Sequence, residues 1–120
     1  SSFFYFEDVV ALGGQYSDVY DSCEVFDVDT GLWTNLPNMN IKRTNYPGAV
    51  AIQRGAGHRI YVFGGSDGTS YFDSCEFVDV GEEQSEWTLL EAKMASPRTS
   101  VCAVLLDHYT VVICGGDDGD

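Results

Sequence analysis

The chain has 120 residues, the size of one ordinary domain or part of a larger one, and 44% of them are apolar, so a buried core can form. Six basic residues against nineteen acidic ones leave a net charge of −13, which repels phosphate backbones and anionic lipid. That excludes nucleic acid and membrane surfaces as expected partners, and no apolar run approaches the roughly 18 residues that a membrane-spanning helix needs.

Taken in chain order, the opening SSFFYFEDVV lacks a basic region and a small-residue cleavage site, so it reads as a strand cut near its beginning rather than as a secretion signal. VVAL then runs into Gly13-Gly14, QYSDVYDS from Gln15 is a loop, and YDSCEVFDV from Tyr20 is a second strand. DVDTG at Asp27 begins like a calcium loop, but Gly31 stands where a third ligand belongs and Asn38 where the closing glutamate belongs, so no calcium site is expected. Trp33 opens a further strand, and NIKRTNY from Asn40 links to the next set. There PGAVAIQ from Pro47, RIYVFGG from Arg59, SCEFVDV from Ser74 and EWTLLE from Glu86 read as four short strands. They are separated by turn chemistry, including SDGTSYFDS from Ser66 and the GEEQSE loop. After ASPRTS from Ala95 come another apolar strand, VVIC, Gly115-Gly116 and a DDGD tail. No segment has helical periodicity, and the density of valine, isoleucine and aromatics suits strands buried on both faces between stacked neighbours.

The elements recur. FDSCEFVDV from Phe72 repeats YDSCEVFDV from Tyr20 after 52 residues, and the three glycine pairs are spaced 51 and 51. Trp33 and Trp87 are 54 apart, Met39 and Met94 are 55 apart, and Arg43 and Arg98 are 55 apart, the second copy being lengthened by its GEEQSE loop. A unit of about 50 residues with four short strands has the period of one propeller blade. The order of apolar strand, IYVFGG, DG loop, DSCEFVDV, Trp, Met and Arg resembles the kelch repeat over essentially the whole chain. Two departures touch only loop detail: the aromatic before the Asp is Phe26 in one copy and Val78 in the other, and GEEQSE replaces a tight turn.

The resemblance implies an all-β fold, a kelch-type β-propeller segment of four-stranded antiparallel blades, with about two and a third blades present. Residues 1–46 are expected to form an incomplete blade, 47–97 one full blade, and 98–120 the first two strands of the next. Kelch relatives usually close with about six blades. The expectation is therefore either a fragment of a longer propeller or a short chain that self-associates through open blade edges. The first fits better, because 9–14 and 111–116 occupy the same repeat position.

In an antiparallel meander alternate connections share one end, and in kelch propellers that end commonly holds a protein ligand. Carried over position by position, the ligand-face candidates are Gln15, Tyr16, Ser66 and Asp67 after the glycines, with Thr44, Asn45, Thr99 and Ser100 after each Arg. Relatives that capture acidic peptides place arginines at such spots, whereas Asn45 and Ser100 stand here, so a basic or neutral protein segment is the expected partner. Simple turn chemistry is the plainer account of the same residues, Gly, Ser and Asp being turn formers.

The remaining residues read as structural. The glycines supply positive φ or close packing, since phosphate binding would need a following helix. Trp33 and Trp87 are expected in the core between blades, and Arg43, Arg98, Glu24 and Glu76 recur with opposite signs, as internal pairs would. Cys23, Cys75, Cys102 and Cys114 show no zinc spacing and are expected to be reduced. His58 and His108 are expected in turns at the opposite end, away from any nucleophile. The chain lacks an Asn-x-Ser/Thr acceptor, which favours an intracellular, cytoplasmic setting.

The expected function is a non-catalytic protein-binding scaffold with no cofactor and no metal. The resemblance also admits substrate recognition for a cullin-based ubiquitin ligase, an oxidase or sugar-active propeller enzyme, and an actin-binding scaffold.

Overall fold

The computed structural model describes residues 8–15, 19–28, 30–55, 57–81, 85–107 and 109–118. They form nine strands and, among the described residues, no helix. The strands are β1 (Asp8–Gln15), β2 (Val19–Asp27), β3 (Leu32–Leu36), β4 (Gly48–Arg54), β5 (Gly57–Phe63), β6 (Cys75–Val80), β7 (Thr88–Leu89), β8 (Cys102–Asp107) and β9 (Thr110–Cys114). They make three antiparallel sheets in sequence order: β1-β2-β3, β4-β5-β6-β7 and β8-β9. The strand expected in SSFFYF lies outside the described residues, as do His108 and Glu82–Gln84 of the GEEQSE loop.

The four-stranded sheet is buried on both faces, and β5 shows how. Its pleat sends alternate side chains to opposite sides. Ile60 and Val62, both fully buried, join Val78 of β6, Trp87, Met39, and Cys23 and Val25 of β2. Phe63 faces the other way, joining Val50 and Cys75, with Tyr61, Met94, Val101, Ala103, Val111 and Ile113 packed around them. Each cluster therefore welds one sheet to the next, and β4 packs along β8 as the second weld is made. The doubled cysteine reads clearly in this frame: Cys23 lies in the first cluster and Cys75 in the second, and neither is in a disulfide. Burial pushes the Cys75 thiol above its ordinary range, keeping it an inert apolar filler.

Four local expectations need correction. Strand EWTLLE shrinks to Thr88–Leu89, because Trp87 turns into the core and donates its Nε1 hydrogen to the Pro37 carbonyl at 2.7 Å. Beyond β7 the chain follows the 72–75 segment by isolated bonds instead, such as Leu90 N to Cys75 O at 2.9 Å and Arg98 N to Phe72 O at 3.0 Å. β1 does not stop at its glycine pair but runs on to Gln15, absorbing the pair with a register shift between Leu12 and Gly14. His58 lies in β5, opposite Gln53 and Val80, rather than in a turn. Trp33 is 51% exposed and tilted against Phe26 at 5.0 Å, whereas its repeat partner Trp87 is 6% exposed. Trp87 is covered by side chains from the preceding sheet, and among the described residues no sheet precedes the one holding Trp33.

Gly64 is where a glycine is required. Its φ is +71°, and a Cβ there would meet the Arg98 carbonyl oxygen at 2.5 Å. The loop at Asp27 is a plain turn: Gly31 N donates to Asp27 O at 2.8 Å and Thr30 N to Asp27 Oδ1 at 3.2 Å.

Candidate functional site

The connections that leave β3 and β7 and those that leave β5 and β9 meet at one end of the sheets, and most of the expected ligand-face residues gather there. Thr44 and Ser66 exchange two backbone hydrogen bonds, at 2.7 and 3.0 Å, and Thr99 and Asp117 do the same at 2.8 and 2.9 Å. The two links are themselves joined, since Ser100 N donates to Asn45 O at 3.0 Å and Val101 N to Tyr46 O at 3.1 Å. Asn45 Nδ2 donates to Ser66 Oγ at 2.6 Å. One backbone network thus runs from Ser66 through Thr44 and Asn45 to Ser100, Thr99 and Asp117.

Within that network the candidates divide by exposure. Thr44, Ser66 and Thr99 are buried and hold the loops together, whereas Asn45, Asp67 and Ser100 face solvent. Asp67 caps its own turn, accepting from Ser70 N at 2.7 Å and Thr69 N at 2.8 Å, and those donors hold its carboxyl below the usual carboxylate range. Gln15 is the last residue of β1, opposite Val19, and Tyr16 lies outside the described residues.

Sequence reading passed over Tyr46. It is 77% exposed, and with Asn45 and Ser100 it forms a set of non-glycine residues with positive φ, at 60°, 58° and 52°. Left-handed backbone is uncommon outside glycine, least so for Asn, and an outlier for a bulky aromatic. No residue-type signal announces it, because a tyrosine after an asparagine is ordinary in a loop.

Beneath the loops is a buried charge pair. Arg43, fully buried, donates to Glu76 Oε2 from Nε at 3.2 Å and Nη2 at 3.0 Å, to the carbonyls of Gly64 at 2.7 Å and Ser74 at 3.1 Å, and to Ser74 Oγ at 3.1 Å. Glu76, also fully buried, takes Asn40 N at 2.8 Å and Asn40 Nδ2 at 3.2 Å on its other oxygen. Desolvation lowers the Arg43 pKa, opposed by the Glu76 charge. The guanidinium donors and both carboxylate oxygens are used in bracing the 40–46 link against β6 and the segments that follow β5 and precede β6, leaving Arg43 no spare donor for a ligand. At the opposite end Arg59 and Asp79 pair at 2.8 Å, partly exposed, with the guanidinium 4.1 Å from the centre of the Phe77 ring. Among the described residues no group of three or more His, Cys, Asp or Glu side chains is placed to hold a metal.

Comparison with known proteins agrees with this geometry. A family model described as the Kelch motif matches residues 7–40. The chain is 30% identical over 115 residues to the Kelch repeat-containing protein kel-10 of Caenorhabditis elegans, a match that covers 94% of this chain and 19% of that protein. It is 35% identical over 79 residues to Kelch-like protein 7 of Rattus norvegicus and of Mus musculus, covering 66% of this chain and 11% of theirs. The chain thus spans about a fifth or less of the length of these curated relatives. With its repeated strands and antiparallel sheets stacked in series, the chain belongs to the kelch-repeat family and is a segment of a kelch β-propeller.

Proposed function

We propose that this segment is a non-catalytic protein-binding surface, contacting its partner through Asn45, Tyr46, Asp67 and Ser100. The observation that carries the reading is Tyr46: a large ring, 77% exposed, on left-handed backbone fixed by hydrogen bonds to the neighbouring link. Strained backbone that its surroundings hold in place is a recurrent feature of binding loops, and an exposed tyrosine on a rigid loop is the kind of side chain that dominates interface energy. The net charge of −13 disfavours an acidic partner and supports a basic or neutral segment. Substitution of Tyr46 by Ala in the full-length protein should weaken binding of its purified partner by about 2 kcal/mol, roughly thirtyfold in Kd. Unchanged affinity with an intact fold would count against the reading.

Within it, the finer proposal is substrate recognition for a cullin-based ubiquitin ligase in the cytoplasm. Family resemblance supports this, and co-precipitation of a cullin with the full-length protein, together with its cellular distribution, tests it.

A further inference from the structure

The connection between β5 and β6 carries Asp67 followed by Gly68, both exposed. It leaves the end of the four-stranded sheet, which stacking of sheets face to face keeps open to solvent. In this order a carboxyl can be attacked by its own backbone, because a glycine amide has no Cβ beside it to hinder the approach. Gly68 has φ +92°, and the space where its Cβ would stand is empty.

Hydrogen bonds of the turn oppose that attack. Asp67 Oδ1 accepts from Ser70 N at 2.7 Å and Thr69 N at 2.8 Å, which turns the carboxyl toward the residues beyond Gly68. Both bonds favour the carboxylate, whereas the neutral acid is the form that gives up its hydroxyl. Gly68 N, the attacking group, donates to Ser66 Oγ at 3.3 Å. Ser66 is fully buried, fixed by Asn45 Nδ2 at 2.6 Å and by backbone bridges to Thr44 and Tyr71.

We infer that Asp67–Gly68 is a self-modification site that converts to isoaspartate at a rate set by opening of this turn. With the turn open and the carboxyl protonated, the Gly68 nitrogen attacks Asp67 Cγ. A C–N bond forms, and the carboxyl hydroxyl leaves as water with the amide proton, giving a five-membered succinimide. Solvent water then opens the ring at either carbonyl. Opening at Cγ restores aspartate, whereas opening at the Asp67 main-chain carbonyl routes the backbone through Cβ and Cγ and frees that carbonyl as a carboxylate. One water is lost and one regained, with no change of oxidation state. The isomer has one more backbone atom at residue 67 and has lost the carboxyl cap on Thr69 and Ser70. That consequence for partner binding rests on the binding-face reading, whereas the reaction itself does not.

The full-length protein is held natively at neutral pH beside a free peptide of residues 59–77. Both are sampled over weeks by isoaspartyl-specific methylation and by electron-transfer fragmentation, which distinguishes the isomers at residue 67. The peptide is expected to accumulate isoaspartate at Asp67. The folded protein should do so at least about tenfold more slowly, the factor given by an opening free energy of about 1.4 kcal/mol. Ser66→Ala, which removes the acceptor of the Gly68 amide, should bring the folded rate toward that of the peptide, and Gly68→Ala should suppress the reaction in the peptide. The comparison of protein with peptide needs no variant. Absence of isoaspartate from the peptide, equal rates in peptide and folded protein, or a folded Ser66→Ala variant no faster than the parent would overturn the inference.

Discussion

Arg43 and Arg98 hold the same place in the repeat, yet one is locked in a cage and the other is half-exposed. Both reach the carbonyl that ends the following inner hairpin, Gly64 O for Arg43 and Gly115 O for Arg98. Arg43 is also met by Glu76 of β6 and by Ser74 just before it, whereas among the described residues the side-chain partner seen for Arg98 is Ser96, two residues back on its own link. The difference shows that the cage has two halves: a link and a glycine carbonyl supply the first, and the third strand of the same sheet closes it with a carboxylate. Glu24, the counterpart of Glu76, is exposed, while the buried pair spans 33 residues.

Breaking the closed cage should have the largest effect. Arg43→Met leaves Glu76 buried and uncompensated, and is expected to cost about 3–5 kcal/mol in urea unfolding, with Arg43→Met/Glu76→Leu regaining most of it. Arg98→Met in the 120-residue chain should cost below about 1 kcal/mol. An equal loss at both sites would show that a carboxylate outside the described residues closes the second cage.

The tryptophans sharpen the same contrast. Trp87→Ala removes a 6%-exposed ring and its bond to Pro37 O, and should cost about 3–5 kcal/mol by thermal unfolding. Trp33→Ala, at 51% exposure, should cost about 1 kcal/mol.

The smallest effect expected is acid sensitivity at the far end. The Arg59 hydrogen bond holds the Asp79 carboxyl below its ordinary value. A carboxylate with a lowered folded pKa contributes stability that is full above the unfolded value, near pH 4, and is lost as pH falls through the lowered folded pKa. Asp79→Asn should flatten that part of the stability curve, and an unchanged slope below about pH 4 would remove the pair from the account.

Much of this was legible in the residues, for physical reasons. The glycine pairs and the doubled DSCE phrase mark strand ends and strand positions, and period-2 alternation in RIYVF sends Ile60 and Val62 one way and Tyr61 and Phe63 the other. Equivalence of sequence does not fix equivalence of surroundings, however. Trp33 and Trp87 read alike but differ in exposure, because burial depends on what the adjoining sheet places against them. Local chemistry also hid which loop residues are support and which are surface. Thr44, Ser66 and Thr99 look like loop hydroxyls but are buried by backbone bridges, and the left-handed Tyr46 carries no residue-type signature.

The most direct test of the central claim is site-specific photo-crosslinking in the full-length protein, with the photoreactive residue placed in turn at Tyr46 and Ser100 on the loop face and at Arg54 and Asp107 at the opposite strand ends. Partner attachment from Tyr46 and Ser100 but not from Arg54 and Asp107 is the predicted result. Attachment from Arg54 and Asp107 alone would contradict it.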